Sequence, residues 1–182
     1  MVRVITFFLI WSSKIKIFPC VQHIEQACAL LRKDINAGDK YEGVAVLDFL
    51  WGYLLQKKLA DAKGDLEVVK GDDTMTQYFD GKLPEKFPTG WADVDRVLAP
   101  WNLKNEHWVA LDINFAEWTL DVYDCDTSHV ADRHMPGLLK AVTHLFPILM
   151  NGHPELRVKW VGKVPEPLVY KRVKGISQNK QS

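Results

Sequence analysis

His107-Trp108-Val109-Ala110-Leu111-Asp112-Ile113, then Asn114-Phe115-Ala116-Glu117, then Trp118-Thr119-Leu120-Asp121-Val122-Tyr123-Asp124, is the stretch that decides the fold. Val109, Leu111 and Ile113 of the first run and Trp118, Leu120 and Val122 of the last are apolar at alternate positions, the period-two pattern of strands with one buried face. A four-residue connection makes them a hairpin. Pairing positions whose numbers sum to 231 sets Ile113 against Trp118, Leu111 against Leu120 and Val109 against Val122, all apolar. The opposite face carries Trp108, Ala110, Asp112, Thr119, Asp121 and Tyr123, the half-wet pattern of a sheet covered on one side. Burial therefore sets the register.

The same register puts His107 opposite Asp124 at the open end of the hairpin, with Cβ atoms expected about 5 Å apart. A carboxylate at that distance holds one imidazole nitrogen and leaves the other free, the base-and-orienter half of a catalytic triad. A slip by two residues preserves both faces and brings Asp126 opposite His107 instead, so Asp124 is preferred on pairing, with Asp126 as the alternative.

Working outward, Ile24, Cys28 and Leu31 with Ala27 fall at helical spacing over Val21–Lys33, and Asn36-Ala37-Gly38 stops the pattern. Val44, Leu47, Trp51, Leu54 and Leu55 predict a second helix from Val44 to about Ala62, with Gly64 beyond it. The stretch Lys70–Pro100 is interrupted by Gly71, Gly81, Pro84, Pro88 and Gly90 and reads as short pieces and loops. A helix is expected over Gly137–Met150, with Pro147 as a kink or early end. Leu156–Val164 and Leu168–Val173 read as two further strands.

The 182 residues are 47% hydrophobic and 25% charged, ordinary usage for one globular domain. Lys+Arg and Asp+Glu both number 23, so no global field draws the chain onto nucleic acid or an anionic membrane, and partner choice rests on a local site. Cys20, Cys28 and Cys125 form neither a zinc-type pair nor an even disulfide set, which favours a reducing, intracellular setting. The apolar start around Val4–Trp11 is too short to span a bilayer and lacks a small-x-small cleavage site before Lys14.

Around the His-Asp pair stand Trp91-Ala92-Asp93-Val94-Asp95, Ala99-Pro100-Trp101-Asn102, His107-Trp108-Val109-Ala110-Leu111 and Val122-Tyr123-Asp124-Cys125. Together they resemble the catalytic core of the ubiquitin-like-protein-specific cysteine proteases, the family that processes SUMO. The specific part is the His-Trp dipeptide with an acid 17 positions after the His. The likeness is greatest to a divergent plant branch, many of whose members are associated with transposable elements, and His23-Ile24 and Val46-Leu47-Asp48-Phe49-Leu50 are similar to it too.

The resemblance implies an α+β, papain-like fold, with helices packed on a mainly antiparallel sheet. Residues 1–17 would be an extension and 18–182 a partial catalytic domain lacking the Cys-bearing helix. It implies His107 as general base, Asp124 as its orienting acid, and Gln178 as the oxyanion-hole residue, with Asn179 and Gln181 as competitors. Trp108, and Phe18 where the family has a Trp, would line the channel for a Gly-Gly tail. The implied partner is SUMO or another ubiquitin-like protein, in nucleus or cytoplasm, with no cofactor and no metal. One departure governs activity: no Cys occurs after Cys125, so the expected nucleophile is missing and the chain as given is expected to be inactive.

Weaker patterns lead elsewhere. Asp121, Asp124, Asp126, His129 and His134 can be drawn as a metal cluster, but alternate strand residues face opposite ways and no ligand spacing is met. The basic run Arg157, Lys159, Lys163, Lys171, Arg172, Lys174 and Lys180 fits amphipathic strands better than a phosphate surface. A non-catalytic ubiquitin-like-protein-binding module and a nucleic-acid-associated remnant of a transposon protein are the alternatives of other classes.

Overall fold

The computed structural model describes residues 21–36, 43–66, 68–84 and 90–176. In chain order it contains α1 (Val21–Asn36), β1 (Val44–Val46), α2 (Phe49–Asp61), α3 (Asp73–Phe79), β2 (Arg96–Leu103), β3 (His107–Asn114) and β4 (Thr119–Tyr123). These are followed by α4 (Met135–Lys140), α5 (Phe146–Gly152), α6 (Pro154–Lys159) and β5 (Val169–Arg172). The class is α+β. One sheet runs in the order β1-β2-β3-β4-β5, antiparallel in its centre and parallel at both edges.

One face of the sheet carries the main core. Val97, Ala99, Trp101 and Leu103 of β2, Val109, Leu111 and Ile113 of β3, and Leu120 and Val122 of β4 are buried there against α2 and the α4–α5 run. The filling is aromatic: Trp51 meets Trp101 at 6.2 Å and Phe146 at 5.3 Å between ring centres, and Trp91 meets Phe146 at 5.8 Å. On the other face α1 lays Ile24, Cys28, Leu31 and Ile35 over Val46, Leu98 and Trp108. The expected half-wet face is thus covered at the β1–β3 end; farther along it, buried Asp112 is held by Arg96 through two contacts of 2.5 and 2.6 Å.

Four expectations are corrected. The helix expected from Val44 begins only at Phe49. Val44-Ala45-Val46 is a strand paired parallel with Arg96-Val97-Leu98, and Asp48 caps the helix by accepting from the Trp51 N–H at 3.1 Å. Two β-branched residues before an Asp N-cap are a strand and a helix start, and the apolar positions shared by both elements hid the boundary.

The stretch read as loops contains α3 and opens into strand β2, which carries Pro100, a residue type that ordinarily interrupts a ladder. Arg96 donates to the Gly43 carbonyl and the Leu98 carbonyl accepts from Leu47, so this edge faces β1 at every second residue. At Pro100 β1 has ended, so its missing N–H has no ladder bond to lose. There α2 closes in: a Cβ on Gly52 would lie 3.4 Å from the Pro100 carbonyl and 3.2 Å from the Trp101 ring.

The stretch from Leu156 is a helix and then turns, not a strand. Pro154 opens α6, with Glu155 in its first turn and Arg157 and Lys159 in its last, which suits the helix dipole. Val158 is 73% exposed, so the alternation Leu156-Val158-Trp160 did not report burial. Pro147, expected to kink or end its helix, sits in the first turn of α5 after one π-turn at Ala141–Leu145.

The fourth correction is the hairpin register. Observed pairs are Ala110 with Tyr123, Leu111 with Val122, Ile113 with Leu120 and Asn114 with Thr119, two residues away from the expected set. Trp118 is the cause. It has left the ladder into the turn at φ 61°, its indole N–H donating to the Glu166 carbonyl at 2.8 Å and its ring packing on Phe115 and Trp160. The two-residue slip keeps the faces, so the same side chains are buried.

Candidate active site

A tight turn delivers His107 to the start of β3. Lys104 and Asn105 both have positive φ, 58° and 61°, as in the turns whose twist matches that of paired strands, and the Glu106 N–H closes it on the Leu103 carbonyl at 3.1 Å. His107 pairs with Leu103 on one side; on the other, β4 has already left the ladder after Tyr123. Its ring lies on the core side with Val109 and is 8% exposed.

Asp124 follows β4 directly and is completely buried. Its Oδ1 lies 2.7 Å from His107 Nε2 and accepts from the Asp126 N–H at 2.8 Å. Its Oδ2 accepts from Arg172 of β5, through Nε at 3.2 Å and through Nη2. Arg172 Nη1 donates onward to the Val130 carbonyl at 2.9 Å and to Asp132 at 2.6 Å. Burial pushes the Asp124 carboxyl up, but the hydrogen bonds from His107 and Arg172, the His107 charge and the Asp126 N–H outweigh it and hold the group below the ordinary carboxylate value. An ionised Asp124 accepts from Nε2–H, which leaves Nδ1 as the nitrogen for proton chemistry. The His129 ring lies 5.1 Å from the His107 ring at 35°, with Glu106 3.8 Å from His129 Nε2.

So the structure brings His107 and Asp124 together, although the register that motivated the pair is shifted. Extending the observed register would set Asp126 opposite His107, but β4 has left the ladder there, and the Asp126 backbone N–H binds Asp124 instead. Trp108 lies on the reverse face, 9% exposed, with Phe49 edge-on at 5.7 Å. Phe18 and Gln178 lie outside the described residues, as do Asn179 and Gln181. An imidazole oriented in this way can accept a proton from a thiol, an alcohol or water. Cys28 cannot supply the thiolate: burial first, then the Glu25 and Asp48 charges, push its thiol up to about 12 against the pull of Arg32. Cys125 is also buried, and Cys20 lies outside the described residues.

The family model of the Ulp1 protease family, C-terminal catalytic domain, matches residues 22–182. The chain belongs to the Ulp1 protease family. Among solved structures it is similar to the SUMO protease Ulp1 with its catalytic cysteine oxidised to a sulfenic acid, at a TM-score of 0.46 and 12% identity over 82% of this chain and 53% of that one. The sulfinic-acid form gives a TM-score of 0.46 and 11% identity, over 82% and 54% of the two chains. The chain thus spans about half the length of those Ulp1 chains. No curated protein matches. Among the described residues no helix is long and apolar enough to cross a membrane.

Sequence reasoning missed Arg172, His129 and Phe49 as neighbours of these groups. Arg172 was absorbed into a basic run. Its signal was parity: it stands opposite Val122, on the core-facing side, where an arginine requires a buried acid. His129 was grouped with Asp124 only as a metal-cluster pattern, and neither it nor Phe49 pointed to His107 or Trp108, because these contacts join segments apart in sequence.

Proposed function

We propose that this domain supplies the histidine and orienting acid of a cysteine-type peptidase acting after the C-terminal glycine of SUMO or a related ubiquitin-like protein inside the cell. The observation that carries the reading is the buried His107–Asp124 contact, in a chain of the Ulp1 family. In such a reaction Nδ1 of His107 takes the thiol proton as the thiolate attacks the carbonyl, and Asp124 stabilises the imidazolium. The Gln178 side chain and a backbone N–H hold the oxyanion, and water then releases the acyl group with His107 as base. Trp108 and Phe18 flank the glycine tail.

Within the sequence given, Cys28 is buried in the layer behind Trp108 and Cys125 is buried beside Asp124. On this reading the 182-residue chain by itself binds a glycine tail, and neither of these two cysteines cleaves it. Titrating the isotope-labelled chain with SUMO tests this. Signals of Trp108 and His107 shift with intact SUMO and stay still with SUMO lacking its last two glycines; stillness with intact SUMO refutes the reading. Turnover of a fluorogenic SUMO substrate that vanishes in Cys20→Ala would instead assign the nucleophile to Cys20.

A further inference from the structure

Asp124 has left the β4 ladder, so no strand pairing fixes it, and its side chain is held from two sides. Oδ1 is occupied by His107 and the Asp126 N–H, and Oδ2 by the Arg172 guanidinium. Donors on both oxygens fix the carboxylate plane as well as its position, and the planar fork of an arginine does this where the point charge of a lysine does not. Arg172 reaches further. Its Nη1 ties down the Val130 carbonyl and Asp132, closing the loop that carries His129 onto the His107 ring. Its side chain is only 11% exposed, whereas Asp132 is 87% exposed, so Asp124 is the partner it meets away from water.

From this geometry we propose that Arg172 is a positioning residue: by clamping Asp124 on the oxygen that His107 does not use, it sets the ring orientation and tautomer of His107. The proposal rests on reading His107 and Asp124 as the catalytic pair, and it adds a third member, on β5, 48 residues from Asp124 in the chain. A guanidinium there makes ionised Asp124 the stable form in a buried place. Ionised Asp124 is an acceptor only, so a neutral His107 ring presents Nε2–H to it, which leaves Nδ1 as the unprotonated nitrogen for the reaction. A protonated or rotated Asp124 could offer O–H to the ring instead and invert the tautomer. Arg172 removes that choice.

The test uses the 182-residue chain and needs no turnover. Nitrogen-detected NMR of the histidine rings reads the His107 tautomer, and carboxyl carbon shifts read the Asp124 titration, in the parent, Arg172→Gln and Arg172→Lys. The parent shows the Nε2–H form at neutral pH. Arg172→Gln moves the Asp124 titration to higher pH and mixes the two tautomers. Arg172→Lys keeps the charge, so the titration stays near that of the parent while the ring contact between His107 and His129 weakens. Parent-like tautomer and titration in Arg172→Gln overturn the proposal. Loss of cooperative unfolding in both variants also overturns it, because Arg172 then holds the fold rather than the pair. Neither outcome bears on whether SUMO shifts Trp108, so failure here and failure of the functional reading are separately visible.

Discussion

Removing the Asp124 side chain takes the acceptor from His107 Nε2, the Asp126 N–H and the Arg172 guanidinium at once. The solvent-exposed Asp132 is then the arginine's remaining carboxylate. Breaking a buried ion pair from one side costs about 3–5 kcal/mol, because the partner is left charged and poorly solvated. Asp124→Ala is expected in that range, a large part of the roughly 5–15 kcal/mol that a domain has. His107→Ala differs in kind. It removes a ring at the edge of the core and leaves Asp124 still bound to Arg172 and to Asp126, so the expected loss is about 1–2 kcal/mol. The double variant should cost less than the sum of the two singles, since the hydrogen bond between them is removed only once. Urea denaturation followed by circular dichroism measures all three, and at about 2–4 °C per kcal/mol the melting point of Asp124→Ala should fall by roughly 10 °C. If Asp124→Ala costs no more than His107→Ala, or if the two add without coupling, Asp124 is not the buried hub that its contacts describe.

Three further outcomes follow from the same geometry. Asp124 titrates below its unfolded value of about 3.9, so it contributes stability above that pH and loses it as pH falls through the folded value; Asp124→Asn should remove this share of the acid limb in a pH series of urea melts. Glu25 is shifted the other way, raised first by burial and further by Asp48 against the Phe49 N–H and Arg32, so its stabilising share is lost as pH rises; at pH 7 Glu25→Gln should match or exceed the parent, whereas Glu25→Ala should lose about 1–2 kcal/mol with the 2.6 Å bond from the Phe49 N–H. Arg96→Met strands an Asp112 side chain that is 1% exposed and should cost about 3 kcal/mol, while Arg96→Met with Asp112→Leu should recover most of it in the same melts.

The parts of the fold that sequence reasoning reached are those where burial and periodicity agree. Odd-numbered residues of β3 and even-numbered residues of β4 point to one core whether the register sum is 231 or the observed 233, because a slip of two leaves parity untouched. What burial could not distinguish was that Trp118 is worth more to the aromatic cluster of Phe115 and Trp160 than to the strand. The same limit hid β1: Val44 and Leu47 are apolar at positions that a helix extended back from Trp51 would also bury. At Leu156–Trp160 the misleading alternation came from Val158, which faces water. Of the site, the His-Asp contact was legible and Arg172 was not, because strand β5 is joined to β4 only through the long excursion of α4, α5 and α6.

Why the pair survives the shifted register follows from where the ladder stops. At the expected register His107 and Asp124 would be ordinary cross-strand neighbours, with backbone pairing continuing through both. At the observed one pairing ends at Ala110 with Tyr123, three residues after His107 on β3 and one before Asp124 on β4. Beyond the ladder, the placement of Asp124 against His107 depends on hydrogen-bond donors, the His107 ring, the Asp126 backbone N–H and the Arg172 guanidinium, rather than on strand pairing. A pair held in this way can be adjusted by changing one donor without disturbing the sheet. Strand pairing alone would have tied its geometry to every residue of the hairpin. The corner also leaves His107 on the core side of β3 with its neighbour Trp108 on the reverse side. A ligand that touches both must therefore pass around the end of β3 at the Lys104–Glu106 turn. On the proposed function, that turn, rather than either face of the sheet, is where a glycine tail would first be felt.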